Sequence, residues 1–287
     1  MTSSNAPEIR PARPSDAAAV GAFLHAHMNA KIPPEAFARI LDYTWDGAPA
    51  HRGWLAEIDG ALVGYHGSVG SARWIDGRAR PCGSFSSLYV HKSARGHDLG
   101  GRMMRALVAE PDVTYTVFNP SRRVQALLES CGFSDLETHR RVFTAGPAGQ
   151  VQVTKGSAAA PYIDAAILRD HAALPVTAAV LSDADGAVAC LLGAPARGAD
   201  GAAVELLYCS DPAALARMIE AASPALLGPE PGLRLHVDER YFDGNEPGGR
   251  REALAYRRMI RPARDPLPGW RVDHLYSETL LLGLKLG

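Results

Sequence analysis

The residues of this chain best suited to chemistry lie between Ser87 and Arg102. Ser87-Leu88-Tyr89-Val90-His91 leads into Lys92-Ser93-Ala94-Arg95-Gly96-His97-Asp98-Leu99-Gly100-Gly101-Arg102. A β-rich run ends at Val90, a polar, glycine-rich turn follows, and helical spacing continues from Arg102 to Val108. Backbone N–H groups in such a turn aim at one point, and the dipole of the following helix adds positive potential there. Glycines let the backbone approach a ligand with no Cβ in the way. This combination suits a pyrophosphate, and Arg95 and Arg102 offer it guanidinium groups.

Composition bounds the partner. The chain has 287 residues, with 30 Lys and Arg against 31 Asp and Glu, a net charge of -1 that argues against nucleic-acid binding but allows a local basic patch. With 47% hydrophobic and 21% charged residues it can bury a large core and supply two domains. Cys82, Cys131, Cys190 and Cys209 form no C-x-x-C pair, and no histidines have ligand spacing, so no metal is expected. The polar stretch from Met1 to Pro14 is no signal peptide, and no apolar run approaches the roughly 20 residues of a membrane span. The expectation is a cytoplasmic protein with reduced thiols and no membrane partner.

The elements that must hold the turn follow from the pattern. A short strand over Glu8–Ala12 precedes a helix over Ala17–His27, with Ser15 or Asp16 as cap, and a second helix over Pro34–Tyr43. Strands Gly53–Ile58 and Ala61–Ser68 flank Asp59-Gly60, a strong hairpin signal. A further pair, Ser71–Ile75 and Pro81–Val90, turns at Asp76-Gly77. Then come a strand over Val113–Phe118, the cap Asn119-Pro120-Ser121, a helix over Arg122–Ser130 closed by Gly132, and a strand over Thr138–Thr144. This predicts an α/β (α+β) fold with a mixed, mostly antiparallel sheet flanked by helices. Residues 1–146 form a first domain, the Gly/Ala/Pro-rich 147–160 a linker, and 161–287 a second, smaller domain. Asp185-Gly186 and Val204–Tyr208 there echo Asp59-Gly60 and Phe85–Val90, while Cys209-Ser210-Asp211-Pro212 lacks a phosphate-cradling glycine. The tail from Trp270 is expected to end in a strand that returns to the first domain and brings Tyr276 or Glu278 to its cleft.

Arg95-Gly96-His97-Asp98-Leu99-Gly100 resembles the Arg/Gln-x-x-Gly-x-Gly/Ala signature of the GNAT (GCN5-related N-acetyltransferase) family, with Asp98 where the family has its middle glycine. Asn119 with Gly132-Phe133 matches a second family element, and the resemblance spans about Ile9 to Phe143. It implies acetyl-CoA or another acyl-CoA as co-substrate. Leu88, Tyr89 and Val90 would then pair with pantetheine amides, Gly96 to Gly101 would hold the pyrophosphate, and Asn119 would bond the pantetheine arm or the next helix. The second half would be a degenerate GNAT-like copy. Leu127 and Leu128 stand where many members carry the tyrosine that protonates the departing thiolate.

The implied reaction is acyl transfer to the amine of a small molecule, and a homodimer is compatible with it. The alternative is a GNAT-like shell that binds CoA or another ligand without turnover. Acyl transfer needs a neutral amine, an oxyanion donor and a proton for the thiolate. The donor is the N–H of Val90 or Tyr89, and the candidate bases are His91, His66 and Glu57. Trp45, Trp54, Trp74 and Tyr65 are read as core residues before pocket residues.

Overall fold

The computed structural model describes residues 6–45, 47–49, 51–146, 149–198 and 201–284. In chain order it contains β1 (Glu8–Pro11), α1 (Ala17–His27), α2 (Pro34–Ala38), β2 (Gly53–Ile58), β3 (Ala61–Ile75), β4 (Arg78–Val90), α3 (Leu99–Leu107), β5 (Thr114–Val117) and α4 (Arg122–Ser130). There follow β6 (Ser134–Thr144), β7 (Gln152–Lys155), α5 (Ala165–His171), β8 (Val176–Asp183), β9 (Gly186–Gly193), β10 (Ala196–Gly198), β11 (Gly201–Cys209), α6 (Pro212–Leu227), β12 (Arg234–Asp238), β13 (Arg250–Arg261) and α7 (Glu278–Leu281). The fold is mixed α/β with mostly antiparallel strands. Among the described residues no helix is long and apolar enough to cross a membrane.

The chain divides into two compact units. Of the described residues, the first comprises those within 6–134, 259–266 and 276–284, and the second those within 135–258 and 267–275. Three sequence expectations change. The strand over 134–144 groups with the second unit, because residues 140–144 pair with β12. Within the expected linker, Gln152–Lys155 is a strand paired with β8, and Lys155 Nζ donates to Leu226 O; residues 147 and 148 lie outside the described residues. The tail carries the short helix α7, not a strand, in the first unit.

In the first unit the strands run β1-β2-β3-β4-β5, and the last residues of β13 pair with β5. The neighbours are antiparallel except β4 and β5, which α3 joins in parallel. The turns at Asp59-Gly60 and Asp76-Gly77 place all four residues at φ between 50 and 76°, as a type I′ hairpin turn demands. The two strands expected over 61–75 are one, because nothing between Ser68 and Ser71 breaks the extended backbone. Helix α2 stops at Ala38, short of the Tyr43 expected from the pattern. The Asp16 carboxylate does not cap α1 but takes the Arg13 N–H and the Arg10 guanidinium. Helix α3 buries Leu99, Met103, Met104 and Leu107, whose spacing puts them on one side, against Phe85, Val63 and Leu128. Gly132, at φ 87°, ends α4 in a left-handed step, and Phe133 N–H closes on Leu128 O.

The second unit orders its strands β6-β12-β11-β9-β8-β7, with β10 beside β11. It is antiparallel except where α6 joins β11 to β12 in parallel. Leu215, Met218, Ile219, Ala222 and Leu226 of α6 pack on Leu181, Val188, Leu206 and Leu235.

Candidate active site

The site forms where β4 and β5 part. Their parallel pairing covers only Cys82↔Thr114, Gly83↔Tyr115 and Ser84↔Thr116. Beyond Ser86 the register of β4 against β3 slips by one residue. Ser87 and Leu88 stand opposite His66, and Ser87 sits at φ 37°. Such a bulge bends a strand and re-aims its side chains. The gap beyond it opens into a cavity of about 300 Å³. Ser84 to Leu88 form one wall, and Val117 to Ser121 with Val124 and Leu128 the other. His66, Met28, Met104 and the tail residues Glu278, Thr279 and Leu284 complete it.

The strand edge beside the gap offers backbone donors. His91 N–H donates to Val63 O, and Tyr89 pairs with Tyr65 two residues earlier. Alternate residues of an antiparallel strand turn their N–H groups to opposite sides, so Tyr89 is committed to β3 and Val90 faces away from it. Past Val90, Lys92–Ala94 makes one tight turn, Gly96 takes φ 98°, and Asp98, at φ 50°, precedes α3. Among the described residues the N–H groups from Gly96 to Gly101 donate to no carbonyl, and the first such bond of α3 is Arg102 N to Asp98 O. The turn therefore presents a row of unused donors at a helix N-terminus.

Asp98 turns its carboxylate along α3 to Arg105. A Cβ on Gly101 would lie 2.4 Å from Asp98 Oδ1, so the absence of a side chain there makes room for this rotamer. Arg95 and His97 are on the surface of the turn, Gly100 is half-buried, and Leu99 is buried in the core. Arg102 gives a guanidinium N–H to Pro7 O, 3.1 Å away, so part of its donor capacity serves the chain ahead of β1. Asn119 lines the cavity, as does Leu88. Tyr89 packs edge-on against Phe23, with ring centroids 5.7 Å apart.

The three candidate bases are not brought together. Glu57 is held by Arg10 through bonds of 2.8 and 3.2 Å and does not line the cavity. His91 is bound to its neighbour, Nδ1 lying 2.7 Å from Ser93 Oγ, with its ring edge-on to His27, also away from the cavity. His66 alone reaches it. Its Nδ1 donates to Ser86 O at 3.2 Å, which leaves Nε2 as an acceptor with no partner among the described residues. Burial pulls the pKa of His66 down to about 4, so the ring is neutral near pH 7. Trp45, Trp54, Trp74 and Tyr65 line none of the cavity, and Tyr65 donates its hydroxyl to Arg52 O.

The group that motif spacing could not single out is Glu278, 191 residues from the Ser87 hydroxyl that it accepts. Burial pushes its pKa up to about 7, against the lowering effect of the bonds from the Ser87 hydroxyl and N–H. It is half-buried, and the cavity wall is where it is reached. The only advance signal was a polar residue in an alternating tail. Among the described residues no cluster of metal-ligating side chains occurs.

Comparison with known proteins agrees with this geometry. Residues 22–133 match the model of the acetyltransferase (GNAT) family. No curated protein matches the sequence. Among solved structures, a GCN5-related N-acetyltransferase from Anabaena variabilis is 10% identical, with a TM-score of 0.57 over 88% of this chain and 72% of that one. A protein of unknown function from Enterococcus faecalis, described as a probable N-acyltransferase, is 13% identical, with a TM-score of 0.57 over 89% and 72%. A GCN5-related N-acetyltransferase from Kribbella flavida is 12% identical, with a TM-score of 0.54 over 88% and 71%. At these identities the structures speak for the fold.

Proposed function

Starting from a chain whose residues 22–133 form a GNAT acetyltransferase-family domain, we propose that the gap between β4 and β5 transfers an acetyl or other short acyl group from acyl-CoA to the amine of a small molecule. The observation that carries this reading is the union, in one unit, of unused N–H groups from Gly96 to Gly101 with a cavity of mixed polar and apolar lining at the parting of the strands. The pyrophosphate of CoA would take the turn, with Arg95 beside it. The pantetheine arm would lie along Leu88, Tyr89 and Val90, with Asn119 opposite, and would lead the thioester towards the cavity. No metal is required, because a thioester is already activated and its oxyanion needs only a fixed donor such as Val90 N–H.

His66 serves this chemistry as a neutral acceptor at Nε2 better than as a base, since a group that protonates near pH 4 holds a proton weakly at pH 7. With Leu127 and Leu128 at the family's tyrosine position, the thiolate takes its proton from the reacting amine or from water. The test is acetyl-CoA-dependent thermal stabilisation, followed by thiol release with a panel of primary amines. Stabilisation with amine-dependent release is expected. Stabilisation without release across the panel would favour a ligand-binding shell, and no stabilisation would remove the cofactor assignment.

A further inference from the structure

We infer that Glu278 holds the ammonium group of the acceptor and takes its proton, which restricts acceptors to amines that enter as cations. The inference rests on the acyl-transfer reading of this cavity. Glu278 lines the cavity and is anchored at the bulge by the Ser87 hydroxyl. Among the described residues it has no ion pair. The charged or titratable groups around it do not supply one. From β3, Tyr65 faces it with a hydroxyl turned to Arg52 O, and His66 is neutral. The polar side chains that β4 brings to the cavity are serines, and those of the far wall are Asn119 and Ser121. Within the tail, Tyr276 is stacked by Arg73 at 3.5 Å. A half-buried carboxylate with hydrogen bonds from Ser87 but no cation beside it, and a cavity before it, offers a place for a cationic ligand.

The proton balance is complete without another reactant. The acceptor ammonium gives one proton to the Glu278 carboxylate, and the freed lone pair attacks the thioester carbon. The C–N bond forms, the C–S bond breaks, and the second N–H proton goes to the sulfur, giving amide and thiol. Glu278 then returns its proton to water.

The test uses the full chain, acetyl-CoA, and two probe amines: benzylamine, cationic at pH 7, and aniline, neutral there. Glu278→Gln should lower kcat/KM for benzylamine by roughly 10²- to 10⁴-fold and abolish the rise in rate with pH near 7. Its residual activity should climb with pH as free amine forms. Aniline should lose far less. Glu278→Asp should restore part of the rate. Thermal unfolding and acetyl-CoA-induced stabilisation of each variant, compared with wild type, separate misfolding from lost chemistry. Equal loss for the two amines, or an unchanged rate and pH profile in Glu278→Gln, overturns the inference even where acyl transfer itself holds. A wild type that binds acetyl-CoA yet acylates neither amine overturns the acyl-transfer reading and the proton step with it.

Discussion

The two units run the same path and end it differently. In the first, β3 and β4 are antiparallel, the register slips at Ser87, and α3 crosses to β5, which pairs in parallel over three residues. In the second, β9 and β11 are antiparallel, the register slips between Leu206 and Tyr208, and α6 crosses to β12 with the same three-residue pairing. The strand ends beyond the slip differ. In the first unit they enclose a cavity. In the second, Leu207 O accepts Tyr241 Oη–H at 2.6 Å and His274 N–H at 3.0 Å, and Arg240, Arg258 and His274 surround a buried Asp238. The helix starts differ as well. Asp98 turns away from the amides to Arg105, whereas Asp211 uses its carboxylate to accept Ala214 N–H at 2.9 Å. A site needs unused donors and space; in the second unit the Leu207 carbonyl and the Ala214 N–H are engaged by the unit's own groups.

The contrast breaks most sharply at Arg258. Its removal in Arg258→Ala leaves Asp238, whose carboxyl is held well below the usual range by Arg258 and Arg240 against burial, without one of its cations. A loss of about 3–5 kcal/mol is expected in urea unfolding. In the first unit the half-buried Glu278 carboxylate behaves oppositely. The raised pKa of Glu278 means that its contribution is fully present below its unfolded value of 4.5 and is lost as pH rises through about 7. Glu278→Gln should therefore match wild type near pH 4 and exceed it at pH 8 by up to about 3 kcal/mol. His66 has the other sign. Its depressed value gives stability present above pH 6.5 and lost as pH falls through about 4, which Glu278→Gln should leave in place.

Smaller effects sharpen the helix-start comparison. Asp211→Ala removes a cap and should cost about 1 kcal/mol in unfolding free energy, while Asp98→Ala, which breaks an exposed pair, should leave the unfolding midpoint unchanged. Gly101→Ala pushes the Asp98 carboxylate from its place. Calorimetry should then show acetyl-CoA binding weakened roughly two- to five-fold, the size of one charge misplaced at a helix end.

Local chemistry was readable in advance. Asp59-Gly60 and Asp76-Gly77 specify their hairpin turns, Gly132 ends α4, and α4 itself runs over Arg122–Ser130 as its pattern indicates, because each depends on backbone energetics within a few residues. The glycine-rich turn before α3 belongs to the same class, and so does the family resemblance it carries. Strand pairing was less legible. β6 reads as the close of the first half, yet it sits beside β12, because register depends on which distant strand offers a matching edge.

The sequence by itself determined the turn with its row of free amides and the elements on either side. Only the tertiary structure decided which polar groups share the cavity. It assigned Glu57 to Arg10 and His91 to Ser93, left His66 as a neutral acceptor, and brought Glu278 from the tail to Ser87. The reason is physical. A donor row is a property of consecutive residues, whereas the charge state and partner of a carboxylate depend on desolvation and on neighbours that only folding brings near.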